Sequence, residues 1–537
     1  MCRVSEGSRN GVLGAIVAGL GLMACSVGIR AAEMPTIEAN HEVLLGAYGS
    51  HYPQVVSFKG IPFAAPPIGD LRWREPLPHP ARAGVQNAQS FAAGCYQDSY
   101  NTDWYRRVGA AFGVEPTKFA DPMFSEDCLY LNVWTPQPAA SARLPVMVWI
   151  YGGSNRAGWS YEPNYLGERL AARGNVVVVT VAYRVGIFGF FGHPELTGAQ
   201  APANFGLLDQ IAGLRWVRDN IAQFGGDRDN ITVFGESAGA SDIGYLVNSP
   251  LAQNLFHRAI SQSGGFQMQD HLRLADAEQT GTALSKAIPG TPGLAALRRL
   301  PSREVWEASM RGLPGHDFAP VVDGTSVIRS PAAAYAREGI PHDLLIGSNQ
   351  DEWYMYVDGD PRGLATDLDA FAPSARKALE ARAAQEPDVR TARDKVGTFV
   401  NMVCPAYLMA GAARAAGRSA WVYHFTRVRA GPGGATLGSY HGAEIPYVFD
   451  THDAWLSRDS TDDALTTRMI DFWANFARYG NPNGSHGDAW PPFNPSSPRV
   501  MELGDRIGPL PAADDELCRR WAADLYPGWQ ESPPHAR

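Results

Sequence analysis

The succession of apolar and polar positions along this chain predicts a sheet buried on both faces. Residues 144–150, 176–182, 231–234, 344–347 and 420–426 are apolar runs without regular polar alternation. Strands of a parallel sheet covered by helices need that pattern, because neither face meets water. Two earlier segments, 55–64 and 128–135, predict further strands, each closed by proline. Between the runs the period changes: Leu207, Ile211, Leu214 and Ile221 fall on one stripe of a helix over 203–224. Small, helix-compatible residues over 238–247 predict another helix. Residues 265–340 and 360–418, richer in alanine and arginine, predict helical walls above the sheet edge. The result is an α/β chain with a mostly parallel sheet between helices. No repeat and no linker divides it, and the Gly-Pro-Gly-Gly within 429–438 is expected to be a loop. Residues 33–537 are therefore expected to form a single domain.

The first residues break this pattern. Arg3 and Arg9 precede an apolar stretch at 11–24 that has the length of a signal-peptide core and is too short to span a bilayer. Residues 1–31 are expected to be an export leader, cut after Ala31 or Ala32. Leu22-Met-Ala-Cys25 resembles a lipoprotein box and offers the rival expectation of a lipid anchor at Cys25. No other stretch is expected to reach transmembrane length. Export exposes thiols to oxidation, and of six cysteines Cys2 and Cys25 fall in the leader. Cys95, Cys128, Cys404 and Cys518 remain, and four cysteines allow three pairings. The formal net charge of -9 argues against nucleic acid or an anionic membrane as a partner. Oligomeric state is not legible.

Candidate chemistry begins where the 231–234 run breaks into Gly235-Glu-Ser237-Ala-Gly239. A sharp strand-to-helix turn exposes a serine hydroxyl as a nucleophile, and the two glycines leave room for strand and helix to pass. The plainer alternative is a glycine-rich turn around a buried serine. A serine nucleophile needs a base and an acid that orients it. After the strand at 344–347 come Asp351 and Glu352, and after that at 420–426 comes His441. Spacing leaves both acids open, and His424 within the strand is expected to be packed. Tyr151-Gly152-Gly153-Ser154, after the strand at 144–150, would supply the backbone N–H groups that an oxyanion needs.

Many ordered motifs then make a resemblance. Phe58-Lys-Gly-Ile-Pro-Phe-Ala64, Pro66-Pro67, Leu71-Arg-Trp73, Ser125-Glu-Asp-Cys-Leu-Tyr-Leu-Asn-Val-Trp134, Phe205-Gly-Leu-Leu-Asp-Gln210, Phe224-Gly-Gly-Asp227, Ser261-Gln-Ser-Gly264, Asn349-Gln-Asp-Glu352 and His441-Gly-Ala-Glu-Ile445 join the elements above. Together they resemble the type-B carboxylesterase and cholinesterase family. The resemblance implies an α/β-hydrolase fold whose helical insertions form an active-site gorge. It implies a triad of Ser237, Glu352 and His441, so Glu352 rather than Asp351 is the acid. Oxyanion donors fall on Gly153, Ser154 and Ala238, disulfides on Cys95–Cys128 and Cys404–Cys518, and support for the triad on Ser263. It further implies hydrolysis of small-molecule esters through an acyl-enzyme, without cofactor or metal.

One departure stands out. Where the family usually has a third small residue and phenylalanine, this chain has Ser154 and Asn155, followed by Arg156. Asn155 and Arg156 are therefore expected on the substrate, favouring a polar or carboxylate-bearing ester, with solvent or Glu162 or Glu168 as the plainer partner of Arg156. No choline-type aromatic site can be placed on Trp104 and its neighbours. The alternatives are a catalytically silent, cholinesterase-like binding protein, or an amidase, lactonase or carbamate hydrolase on the same triad.

Overall fold

The apolar runs pair into one eleven-stranded sheet in the computed structural model, which describes residues 34–525 apart from 198–201, 269–272, 291–292, 370, 372, 453–454 and 485–488. The expected leader and Cys25 lie outside the described residues. In chain order the strands are β1 (Ala47–Tyr48), β2 (Val56–Pro62), β3 (Tyr130–Thr135), β4 (Leu144–Ile150), β5 (Val177–Val181), β6 (Gly226–Glu236), β7 (Arg258–Gln262), β8 (Asp343–Asn349), β9 (Ala420–Phe425), β10 (Arg499–Leu503) and β11 (Ile507–Pro511). Their spatial order is β11-β10-β9-β8-β7-β6-β4-β5-β3-β2-β1. The strands from β5 to β10 run parallel. Antiparallel strands finish each border: β3, β2 and β1 on one side, β11 on the other.

The predicted runs become central strands because burial on both faces rewards them. Val146, Val148, Val177, Val179, Ile231 and Val233 are wholly buried, each side chain contributing roughly 1.5–3 kcal/mol of transfer free energy. Three helices matter for the site: α1 (Tyr100–Ala111), α2 (Phe205–Asn220) and α3 (Ala238–Asn248). The stripe of Leu207, Ile211 and Leu214 on α2 is buried as predicted. Its expected last turn tightens into the 3-10 helix Ile221–Phe224, ended by Gly225 at φ 83°.

Insertions after β7 and β8 are helical, as expected. The second contains the continuous helix Val389–Ala415, whose length and apolarity would suffice for a membrane span. Its most apolar window is 78% buried inside the protein, so it serves as a core helix. Counting uninterrupted apolar residues misses it, because polar residues such as Asn401 interrupt the run. A π turn occupies Phe399–Val403, just before Pro405, which has no N–H to close an ordinary turn.

Some elements are absent from the sequence reading. Thr36–Ala39, Glu42–Leu45 and Val85–Asn87 form a small separate sheet, and β10 and β11 a border hairpin. All are short and lack an apolar run. The expected loop at 429–438 contains a six-residue helix, Pro432–Leu437, started by proline and stopped by Gly438 at φ 67°. Disulfides join Cys95 to Cys128 and Cys404 to Cys518, with Cα separations of 4.9 and 5.1 Å.

Candidate active site

Parallel strands put their C-terminal ends on one edge, and four loops from that edge build the site. The turn between β6 and α3 carries Ser237, held at φ 56° and ψ −127° outside the favoured basins. A Cβ on Gly235 would stand 2.5 Å from the Ile150 carbonyl, and one on Gly239 2.2 Å from it, so both glycines are required. Glu352 follows β8 and His441 follows β9. The structure brings these two together, with Nδ1 of His441 2.5 Å from Oε2 of Glu352. The other oxygen of Glu352 accepts Ser263 Oγ at 2.6 Å and the Asn349 N–H at 2.7 Å. Ser263 thus touches the acid directly. Asp351, the alternative acid, points away to Lys395 and to the Ser439 N–H.

Ser237 is 8% exposed beside this pair, and among the described residues no hydrogen bond joins it to His441. The Nε2 atom instead faces Glu236 Oε1 at 3.2 Å. Serine–histidine contacts are often loose without substrate. Burial pushes the Glu236 carboxyl upward against the pull of His441. Burial also opposes a charged imidazole, but Glu236, Glu352 and Glu444 outweigh it and hold His441 well above its usual value. Glu444 is fully buried and satisfied by Gln262 at 2.9 Å and Asn349 at 2.6 Å. Among the described residues no group of three or more His, Cys, Asp or Glu is arranged to hold a metal.

The loop after β4 presents Gly153 and an exposed Ser154, the latter at φ 57°. Facing it, Ala238 opens α3. The expectation for Asn155 needs correction. Its side chain is turned inward and is 3% exposed. Its Nδ2 donates to Asp242 at 2.9 Å, and its Oδ1 accepts Tyr183 OH at 3.3 Å. Burial raises Asp242 to about 7, against the two amides of Asn155 and Gln210 that pull it down. Asparagine here serves the interior, because a polar side chain lets a buried carboxylate keep its hydrogen bonds.

Arg156 also differs from expectation. It is held by Asp98 at 2.5 Å and lies 5.2 Å from the Tyr100 ring. Glu162 instead accepts Asn101 and the Trp159 N–H, and Glu168 the N–H groups of His51 and Tyr52. The planar fork is engaged with the protein, so a substrate carboxylate would have to displace Asp98.

Sequence reasoning passed over Glu236, Asp98 and Asp242 as site residues, and weighed Trp104 only for a choline-type aromatic site. Trp104 on α1 reaches the His441 loop, packs at 6.0 Å on Tyr440 and donates to Tyr356 OH at 3.0 Å. The signal for Glu236 was present as an acid two residues beyond the apolar run at 231–234, beside the serine.

Comparison with known proteins follows the same lines. The profile described as "Carboxylesterase family" matches residues 35–511. Fumonisin B1 esterase of Sphingopyxis macrogoltabida is 34% identical over 485 residues, covering 84% of each chain. Phenmedipham hydrolase of Pseudarthrobacter oxydans is 32% identical over 480 residues, covering 83% of this chain and 91% of that one. A solved PNB esterase superposes with a TM-score of 0.78 at 30% identity, over 91% of this chain and 99% of its own.

Proposed function

The chain belongs to the carboxylesterase family, with the α/β-hydrolase fold of its solved relatives, and from that premise we propose a serine mechanism for its hydrolysis of small-molecule esters. Ser237 attacks the ester carbonyl while His441 takes its proton. Glu352 orients the imidazole and stabilises the imidazolium. The N–H groups of Gly153, Ser154 and Ala238 receive the oxyanion, each donor worth on the order of 3 kcal/mol. Collapse releases the alcohol, protonated by His441, and leaves Ser237 acylated. Water, activated by the same histidine, releases the acid. The observation that carries this reading is the 2.5 Å contact of Glu352 with His441 beside a serine held at φ 56°. A silent binding protein would have no need of that strained serine and oriented base.

The two disulfides support an exported mature chain, freed of the leader at 1–31 or anchored through Cys25, which the mass of the mature N-terminus separates. The Asp98–Arg156 pair favours a neutral ester as the resting preference. A fluorophosphonate should label Ser237 alone, and Ser237→Ala should abolish both labelling and hydrolysis. Hydrolysis that survives the substitution would reject the mechanism. A panel of esters, amides, lactones and carbamates would then locate specificity.

A further inference from the structure

We propose that the buried hydrogen bond between Asn155 and Asp242 sets the spacing of the oxyanion hole, by tying the loop after β4 to the nucleophile helix α3. This rests on the serine mechanism above, and makes Asn155 and Asp242 positioning residues for it. The proposed donors come from two separate elements. Gly153 and Ser154 lie on the loop, whereas Ala238 begins α3, so something must fix the distance between them.

Ser154 and Asn155 are consecutive non-glycine residues at φ 57° and 51°, a pair of left-handed conformations that contacts with the rest of the fold help to hold. Asn155 supplies three such contacts. Its carbonyl accepts the Gly186 N–H at 2.6 Å. Its Oδ1 lies 3.3 Å from Tyr183 OH, as the longer branch of a hydrogen bond whose single proton is shared with the Tyr151 carbonyl at 2.7 Å. Its Nδ2 donates to Oδ1 of Asp242.

Asp242 stands four residues beyond Ala238, on the same face of α3. Its second oxygen accepts Gln210 Nε2 of α2 at 2.6 Å. The carboxylate is fully buried and gripped from both sides, so it cannot swing away. The loop donors and the helix donor are therefore fixed to one rigid group. Oxyanion donors act only when pre-set close to the hydrogen-bond distance from where the charge forms. A loop released by a fraction of an ångström would bind the ester as before and stabilise its tetrahedral intermediate less.

The test is a suppression experiment on a short neutral ester. Asn155→Asp sets one carboxylate against another and is expected to lower kcat roughly 30- to 100-fold with KM within about threefold. Asn155→Ser, which loses the reach without adding charge, should lower kcat about tenfold. Adding Asp242→Asn to Asn155→Asp restores a donor and an acceptor with the partners exchanged. It should recover kcat to within about fivefold of the starting protein. The affinity of a trifluoromethyl ketone, which forms a hemiketal oxyanion, should follow kcat through the series.

Variants that melt at lower temperature yet keep kcat per folded molecule would overturn the tie, as would a double variant no better than Asn155→Asp. Ser237-dependent activity indifferent to Asn155 rejects the tie alone. Activity that survives Ser237→Ala overturns the serine mechanism and the tie with it.

Discussion

Glu236 Oε1 lies 3.2 Å from Nε2 of His441 while Glu352 Oε2 holds Nδ1 at 2.5 Å, so the imidazole is bracketed by two carboxylates. Only the neutral ring can take a proton from Ser237, and the bracket keeps it protonated beyond its ordinary value of 6.5. The acidic limb of kcat/KM against pH is therefore expected above that value. Glu236→Gln removes one negative charge and should move the limb down by about one pH unit or more. The stability effect has a definite sign. A raised histidine contributes stability in full below 6.5 and loses it as pH rises through its folded value. Glu236→Gln should shrink that window, and an unmoved limb would dismiss the bracket.

Asp351 joins the loops of Glu352 and His441. Its Oδ2 accepts the Ser439 N–H at 2.7 Å, two residues before His441, and its own N–H donates to the Ser439 carbonyl at 3.1 Å. Lys395 reaches it at 2.5 Å, both side chains being mostly buried. Asp351→Asn leaves that ammonium with Asp394 at 3.1 Å and the Gln350 carbonyl at 2.7 Å, and should cost about 1.5–3 kcal/mol of stability, the worth of one charge-assisted contact. The acid it adjoins behaves differently. Glu352→Gln should keep Tm nearly unchanged and lower kcat by several orders of magnitude through loss of the imidazole's orientation. Thermal melts beside kinetics separate the two.

Asp98 competes with any substrate carboxylate for Arg156. Asp98→Asn should free the guanidinium and lower KM for a carboxylate-bearing ester roughly three- to tenfold, with a neutral ester unaffected. Arg156→Ala in that background should erase the gain. Equal changes on both esters would remove Arg156 from recognition.

The disulfides close loops of unequal length, 33 and 114 residues apart. Chain entropy gives upper values of about 4 kcal/mol for Cys95–Cys128 and about 5 kcal/mol for Cys404–Cys518. Replacing Cys404 and Cys518 with alanine should therefore lower Tm more than replacing Cys95 and Cys128. The reverse order would mean that packing around the sulfurs outweighs the loop.

What was legible in the sequence was whatever a period or a local motif encodes. Leu144–Ile150 and residues 231–234, the buried end of Gly226–Glu236, announce strands by their apolar, β-branched character, and the turn at Ser237 announces itself by its glycines. Side-chain direction was not legible. Asn155 follows the oxyanion loop, yet its φ of 51° and the carboxylate of Asp242 turn its amide inward. Nothing within a few residues records a partner 87 positions away. Arg156 likewise meets Asp98 across 58 positions, where a substrate carboxylate was expected and Glu162 or Glu168 stood as the plainer alternative. Short border strands escaped because pairing, rather than composition, makes them strands.

One of those strands has a further consequence. In β11 the Ala512 N–H just beyond the strand reaches back to the Pro498 carbonyl, so by alternation the backbone groups of residues 509 and 511 face outward. Both residues are proline and have no N–H to offer. The outward carbonyl of Pro509 is covered by Arg499 at 3.1 Å. A second chain seeking to extend the sheet would find most of its template missing there. This border therefore resists edge-to-edge aggregation even though seven parallel strands of high β-propensity lie behind it.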